Sequence, residues 1–122
     1  MKAERTPPGA GPIVTGFGPR GFRLGEEHHR ALLLTVERAL PWSPPPLARL
    51  DAAALAELTA GAPEFILLGT GSTLTHAPRG LVRDLDALGL GVETMDSRAA
   101  ARAWGVLRGE GRRIAAALYP LD

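Results

Sequence analysis

The chain of 122 residues contains no cysteine, which excludes a disulfide framework, a thiolate nucleophile, a Cys-ligated zinc and an iron–sulfur centre together. It also contains neither Asn nor Gln, and Lys2 is the only lysine among 14 Lys and Arg residues. Such uniform use of Arg, with abundant Ala, is a composition bias that puts Arg on every solvated face, so Arg abundance alone does not argue for phosphate binding. Aromatic residues make up only 5% of the chain, leaving few stacking platforms for nucleic acid. A formal net charge of +1 gives no global attraction to nucleic acid or to a membrane surface. No apolar run approaches the roughly 18 residues of a transmembrane helix, and residues 1–8 lack the apolar stretch of a secretory signal. The expected location is the cytoplasm, with no membrane span.

What is present suits a single domain. A hydrophobic content of 45% at this length supports a core that buries about two thirds of the unfolded surface without staples. Gly (15) and Pro (11) are frequent but fall short of low-complexity levels, so disorder is expected only locally. Residues 1–12, with Pro7, Pro8, Gly9, Gly11 and Pro12, read as a flexible tail, and residues 13–122 as one α/β domain.

Along that domain the pattern changes character. Residues 13–24 read as a β-hairpin around Gly18-Pro19-Arg20-Gly21, and residues 30–36, with Leu32-Leu33-Leu34, as a buried strand. Pro41, Pro44, Pro45 and Pro46 end regular structure in a stiff crossover anchored by Trp42. Helix and strand then alternate. Asp51 caps a helix to Thr59, and residues 64–68 form a strand covered on both faces. A helix opened by Pro78 places Leu81, Leu85 and Leu88 on one face before Gly89 stops it. Residues 92–95 make the next strand, Asp96 or Ser97 caps a helix to about Arg108, and residues 113–119 form the last strand. On the third helix Ala99, Ala100, Ala103, Trp104, Val106 and Leu107 share the packed arc, and Arg98, Arg102, Gly105 and Arg108 the solvated one. The expectation is a three-layer α/β fold: a central mixed β-sheet flanked by helices, with an N-terminal antiparallel portion, and with the strands at Glu64, Val92 and Arg113 in the sheet interior.

The segment Met95-Asp96-Ser97-Arg98-Ala99-Ala100-Ala101-Arg102, followed by Val106-Leu107 and by Glu110-Gly111-Arg112-Arg113-Ile114-Ala115-Ala116-Ala117-Leu118, resembles the C-terminal signature of a known family. Gly69-Thr70-Gly71 resembles its second signature. The family is a small α/β domain family of unknown biochemical function. It includes bacterial and archaeal stand-alone proteins, an assembly factor for mitochondrial respiratory complex I and an adipogenesis-associated domain protein. The resemblance runs from about residue 13 to residue 122. It implies the three-layer fold and a role closer to protein assembly than to catalysis. Where the family often carries Thr-Tyr-Asn, this chain has Ala103-Trp104-Gly105 and so lacks that hydroxyl and amide.

Two sites follow from the residues themselves. Gly69, Thr70, Gly71 and Ser72 leave one strand end while Asp96 and Ser97 leave another, and crevices at the carboxyl ends of parallel strands commonly hold ligands. The free N–H groups at the Ser97 helix start suit an anion, although Asp96 opposes one and no phosphate-loop lysine is present. Arg98, Arg102, Arg108, Arg112 and Arg113, set against Glu110 alone, make a basic stripe suited to acidic protein surfaces or to internal pairing such as Glu110 with Arg113. A Ser72–His76–Asp96 triad lacks the nucleophile-elbow context. Glu26, Glu27, His28 and His29, as strand neighbours, point to opposite faces instead of at one metal. No cofactor or metal is expected. The preferred reading is a non-catalytic interaction or assembly module with Arg98, Arg102 and Arg108 on its interaction face. The alternative is a small-molecule or anion-binding protein, or a small enzyme, at the Gly69-to-Ser72 crevice. A homo-oligomer stays open, and nucleic acid is not expected as a partner.

Overall fold

Gly18 and Gly21 face each other across the first tight turn in the computed structural model, which describes residues 11–122. The tail read from residues 1–12 lies outside the described residues except for Gly11 and Pro12. The strands closed by that turn, β1 (Gly16–Gly18) and β2 (Gly21–Leu24), pair antiparallel. The polar strand β3 (Glu27–His29) joins β2 in the same sense to give a three-stranded meander. Gly21 has φ +97°, and a Cβ on it would fall 2.3 Å from the carbonyl oxygen of His29. Only glycine therefore lets the turn lie against the chain leading to Arg30.

The second sheet has five strands: β4 (Leu32–Thr35), β5 (Ala39–Pro41), β6 (Phe65–Gly69), β7 (Gly91–Met95) and β8 (Ala115–Leu118). Their spatial order is β5-β4-β8-β6-β7. β4 runs antiparallel to both β5 and β8, whereas β6 runs parallel to both β8 and β7, so the sheet is mixed. Two expectations are corrected here. Pro41 does not end regular structure but closes β5, an edge strand in which a missing N–H can be tolerated. The strand at Val92 is not interior: β7 lies at the opposite edge, half-buried, with Gly91 and Glu93 exposed.

The helices cover the sheet because its central strands are apolar on both sides. A 3₁₀ turn, Ala52–Leu55, runs into the short helix α1 (Ala56–Thr59), and the Asp51 side chain caps it by accepting a hydrogen bond from Ala54 N at 3.0 Å. The longer helices are α2 (Arg79–Ala87) and α3 (Ser97–Gly109). Alternate residues of each strand serve opposite layers. Leu33, Ile66, Leu68, Ala115 and Ala117 pack with Leu55, Leu58, Leu81 and Leu85. Leu32, Leu34, Leu67, Ala116 and Leu118 pack with Ala100, Ala101 and Trp104 of α3 and with Phe22 of the meander. Each fully buried large side chain stabilises the fold by about 1.5–3 kcal/mol. Leu88, expected on the packed face of α2, is instead its C-cap and is largely exposed, while Gly89 with φ +79° ends the helix.

Trp42 anchors the proline-rich crossover, stacking edge-on against Tyr119 with ring centroids 5.1 Å apart. Burial pushes the Tyr119 hydroxyl pKa up to about 12, and that hydroxyl donates to the Pro45 carbonyl at 2.7 Å.

Candidate functional site

The glycines that suggested a ligand crevice are used in packing α3 onto the sheet. A Cβ on Gly69 would lie 2.8 Å from both Cα and Oγ of Ser97 and 2.9 Å from Leu118, so the helix start sits directly on the end of β6. Ser97 is fully buried. Its Oγ accepts from Gly71 N and donates to the Tyr119 carbonyl, each at 2.8 Å, and its own N–H donates to Gly71 O at 2.7 Å. Asp96 caps α3 by accepting from Ala99 N at 2.9 Å. Gly71 adopts φ +109°, with the Pro120 carbonyl 3.2 Å from where a Cβ would stand. Thr70 turns its hydroxyl inward, donating to Thr73 O at 2.7 Å and accepting from Thr75 N at 3.0 Å. The structure does bring Gly69, Thr70, Gly71, Asp96 and Ser97 together, at the carboxyl ends of two parallel strands. Their polar groups, however, are bonded within the protein: Ser97 to Gly71 and Tyr119, Asp96 to Ala99, and Thr70 to Thr73, Thr75 and Met95. Ser72, with its neighbours Thr73, Leu74, Thr75 and His76, projects into solvent.

The basic stripe divides differently from its helical-wheel projection. Arg108 is not on the exposed face: it is buried, 7% accessible, in the last turn of α3, where positive charge is favoured by the helix carbonyls. Arg112 pairs with Glu64 at 2.7 Å, which raises its already high pKa, and lies over the Phe65 ring. Arg113 pairs with Glu37 at 3.3 Å, a partner distant in sequence, and not with Glu110. Exposed and without a carboxylate partner among the described residues remain Arg98 and Arg102. The Arg98 guanidinium sits 5.8 Å from the centre of the Phe17 ring, which is itself partly exposed on β1. That contact joins α3 to the meander in one basic, aromatic surface.

This surface includes a feature absent from the sequence reading. A cleft of about 290 Å³ opens between the hairpin turn and the start of α3, with Arg30 and Arg98 on its walls and Leu121 and Asp122 beside them. Arg30 grips the Asp122 carboxylate with two contacts, at 2.9 and 3.1 Å, which lowers the Asp122 pKa. No local motif announces this cleft, because its walls come from three distant parts of the chain.

Other combinations do not assemble. No hydrogen bond joins Ser72, His76 and Asp96. His29 lies 3.3 Å from Glu27, but no group of three or more His, Asp or Glu among the described residues is placed to hold a metal ion. Among the same residues no helix is long and apolar enough to cross a membrane.

The arrangement defines a small three-layer α/β domain whose strand-end loop is a packing junction and which exposes Arg98 and Arg102 on α3 beside the meander. The chain belongs to the family described as "Protein of unknown function (DUF498/DUF598)", which it matches over residues 14–119. It is 42% identical over 121 residues to an uncharacterised protein of Rhodobacter capsulatus, covering 98% of this chain and 94% of that protein. A crystal structure of a Bordetella parapertussis protein is similar with a TM-score of 0.82 at 34% identity, over 91% of this chain and 97% of that one. The solution structure of a Bordetella pertussis protein described as an Mth938-like domain has a TM-score of 0.79 at 30% identity, over 100% and 94% of the two chains.

Proposed function

We propose that this domain is a non-catalytic interaction module that joins a protein partner through the start of α3 and the adjoining meander. The carrying observation is that Arg98, over the Phe17 ring, and Arg102, one turn further along α3, are exposed with no carboxylate partner among the described residues, while the groups at the strand ends are used in packing. An unpaired pair of Arg with an adjoining aromatic is the residue chemistry that protein interfaces favour. The assembly-factor character of the reading, and its likeness to the respiratory complex I assembly factor and the adipogenesis-associated domain protein, come from the C-terminal signature. The proposal places the module in the cytoplasm. Replacing both Arg98 and Arg102 by Glu should leave the circular dichroism spectrum and melting temperature close to wild type, since exposed substitutions cost within about 0.5 kcal/mol. The same variant should lose the partner that the wild-type domain retains from its own cells. Retention of the same partner by a folded double variant would overturn the assignment of the face.

A second reading keeps a small-molecule or anion site, or a small enzyme, at Gly69 to Ser72 beside Asp96 and Ser97. Its support is the exposed loop of hydroxyls, Ser72, Thr73 and Thr75, above parallel strand ends. A thermal-shift screen against nucleotides, sugar phosphates and acyl and redox cofactors tests it. A shift abolished by Ser72→Ala but not by R98E would favour it over the module.

A further inference from the structure

The cleft between the hairpin turn and α3 is a second-level feature of the proposed interaction face, and the following rests on that proposal. We infer that this cleft binds an acidic segment of the partner protein, whose carboxylate replaces Asp122 on Arg30 and engages Arg98 as well. The Arg30–Asp122 pair is an internal pattern for such a ligand. Two contacts at 2.9 and 3.1 Å match the fork of a guanidinium to the two oxygens of a carboxylate. The pair is also easily exchanged, because its side chains are 67% and 66% exposed and the attraction is screened by water and salt.

Arg98 supplies what the internal pair does not use. Its guanidinium lines the cleft yet has no carboxylate partner among the described residues, resting on the Phe17 ring. It is the second residue of α3, where the helix dipole adds to the attraction for an anion. The nearest helix-end carboxylate, Asp96, is committed to Ala99 N as the N-cap. Leu121 next to Asp122 provides an apolar patch on the same wall, so the shape suits a carboxylate flanked by an aliphatic side chain. Gly18, Pro19 and Gly21 form the remaining wall without any side-chain charge. A partner carboxylate that displaces Asp122 meets two guanidinium groups where Asp122 meets one. Asp122 therefore acts as a built-in competitor that sets a threshold for binding.

The test is a titration of the isotopically labelled full chain, followed by amide NMR, with an acetylated Leu-Glu-Leu-Asp-Leu peptide as probe. Inorganic phosphate and the same peptide with Gln and Asn in place of the acids run in parallel. The inference expects shifts clustered at Gly18, Gly21, Arg30 and Arg98. It expects affinity for the acidic peptide to rise at least threefold in Asp122→Asn and to fall at least fivefold in Arg98→Glu. Unchanged or weaker affinity in Asp122→Asn overturns it, as do equal shifts from phosphate at the same concentration or shifts centred elsewhere. If Asp122→Asn has no effect while R98E/R102E still loses its partner, the cleft assignment fails and the interaction face stands. If the double variant keeps its partner as well, both fail.

Discussion

Substitution of Ser97 by Ala removes one oxygen atom from the junction that holds α3 to the ends of β6 and β8. The Oγ is fully buried, accepts from Gly71 N and donates to the Tyr119 carbonyl, both at 2.8 Å. Alanine leaves a donor and an acceptor facing a methyl group at a fully buried position. An orphaned buried polar group costs about 1–3 kcal/mol, and the carbonyl falls toward the low end of that range, so the pair should cost about 2–4 kcal/mol. With an unfolding entropy of about 2.1 cal/mol/K per residue and 122 residues, that corresponds to a melting-point drop of about 8–16 °C. Thermal unfolding followed by circular dichroism at neutral pH reads it, with Ser72→Ala as the exposed control expected within about 0.5 kcal/mol of wild type. Serine at 97 would then be a structural residue. A Ser97→Ala protein that melts with the Ser72→Ala control would refute the junction argument and free the hydroxyl for another role.

Gly105 lies mid-helix in α3 with open space where a Cβ would stand, so Gly105→Ala should stabilise the domain by about 0.5–1 kcal/mol in urea unfolding. Tyr119 titrates near 10 in the unfolded chain but at about 12 in the folded one. The folded state therefore holds its proton longer, and stability contributed by the neutral phenol is complete below pH 10 and drains as pH rises through 12. Wild type should lose stability over that window faster than Tyr119→Phe, and parallel curves would contradict the burial argument. Amide exchange should be slowest in β4, β6 and β8, the three strands with neighbours on both edges and buried side chains on both faces, and faster in β7 and in the β1–β3 meander.

The legible parts of the fold are those where local chemistry and tertiary structure agree. Asp51 and Asp96 cap their helices through the short-range bonds their side chains prefer, and the apolar runs of β6 and β8 are buried on both faces as their composition requires. The sequence misleads where a distant partner decides. Pro41 breaks most regular structure, yet β4 offers it an edge position. Arg108 projects to solvent on an ideal wheel, yet in the folded chain its side chain is buried while Val106 beside it is exposed. Gly69 and Gly71 have the pattern of a ligand loop, but Ser97, brought there by the β–α crossover, fills the space a side chain on Gly69 would need, and Gly71 holds a positive φ beside the Pro120 carbonyl. Of the proposed interaction face, Arg98 and Arg102 were readable as a helical stripe. Phe17 and the Arg30–Asp122 pair were not, because only the folded chain places the meander and the final residues against α3.

The proposed interaction face is tested most directly by photo-crosslinking in the cells that make the protein, with a photoreactive residue at the exposed Val106, one turn beyond Arg102 on α3, or at the exposed Val82 on α2, across the sheet. The account predicts one crosslinked partner protein from position 106, lost when Arg98 is changed to Glu, and none from position 82. Crosslinking of that partner from position 82 instead, or no protein above the unirradiated control from position 106, would contradict it.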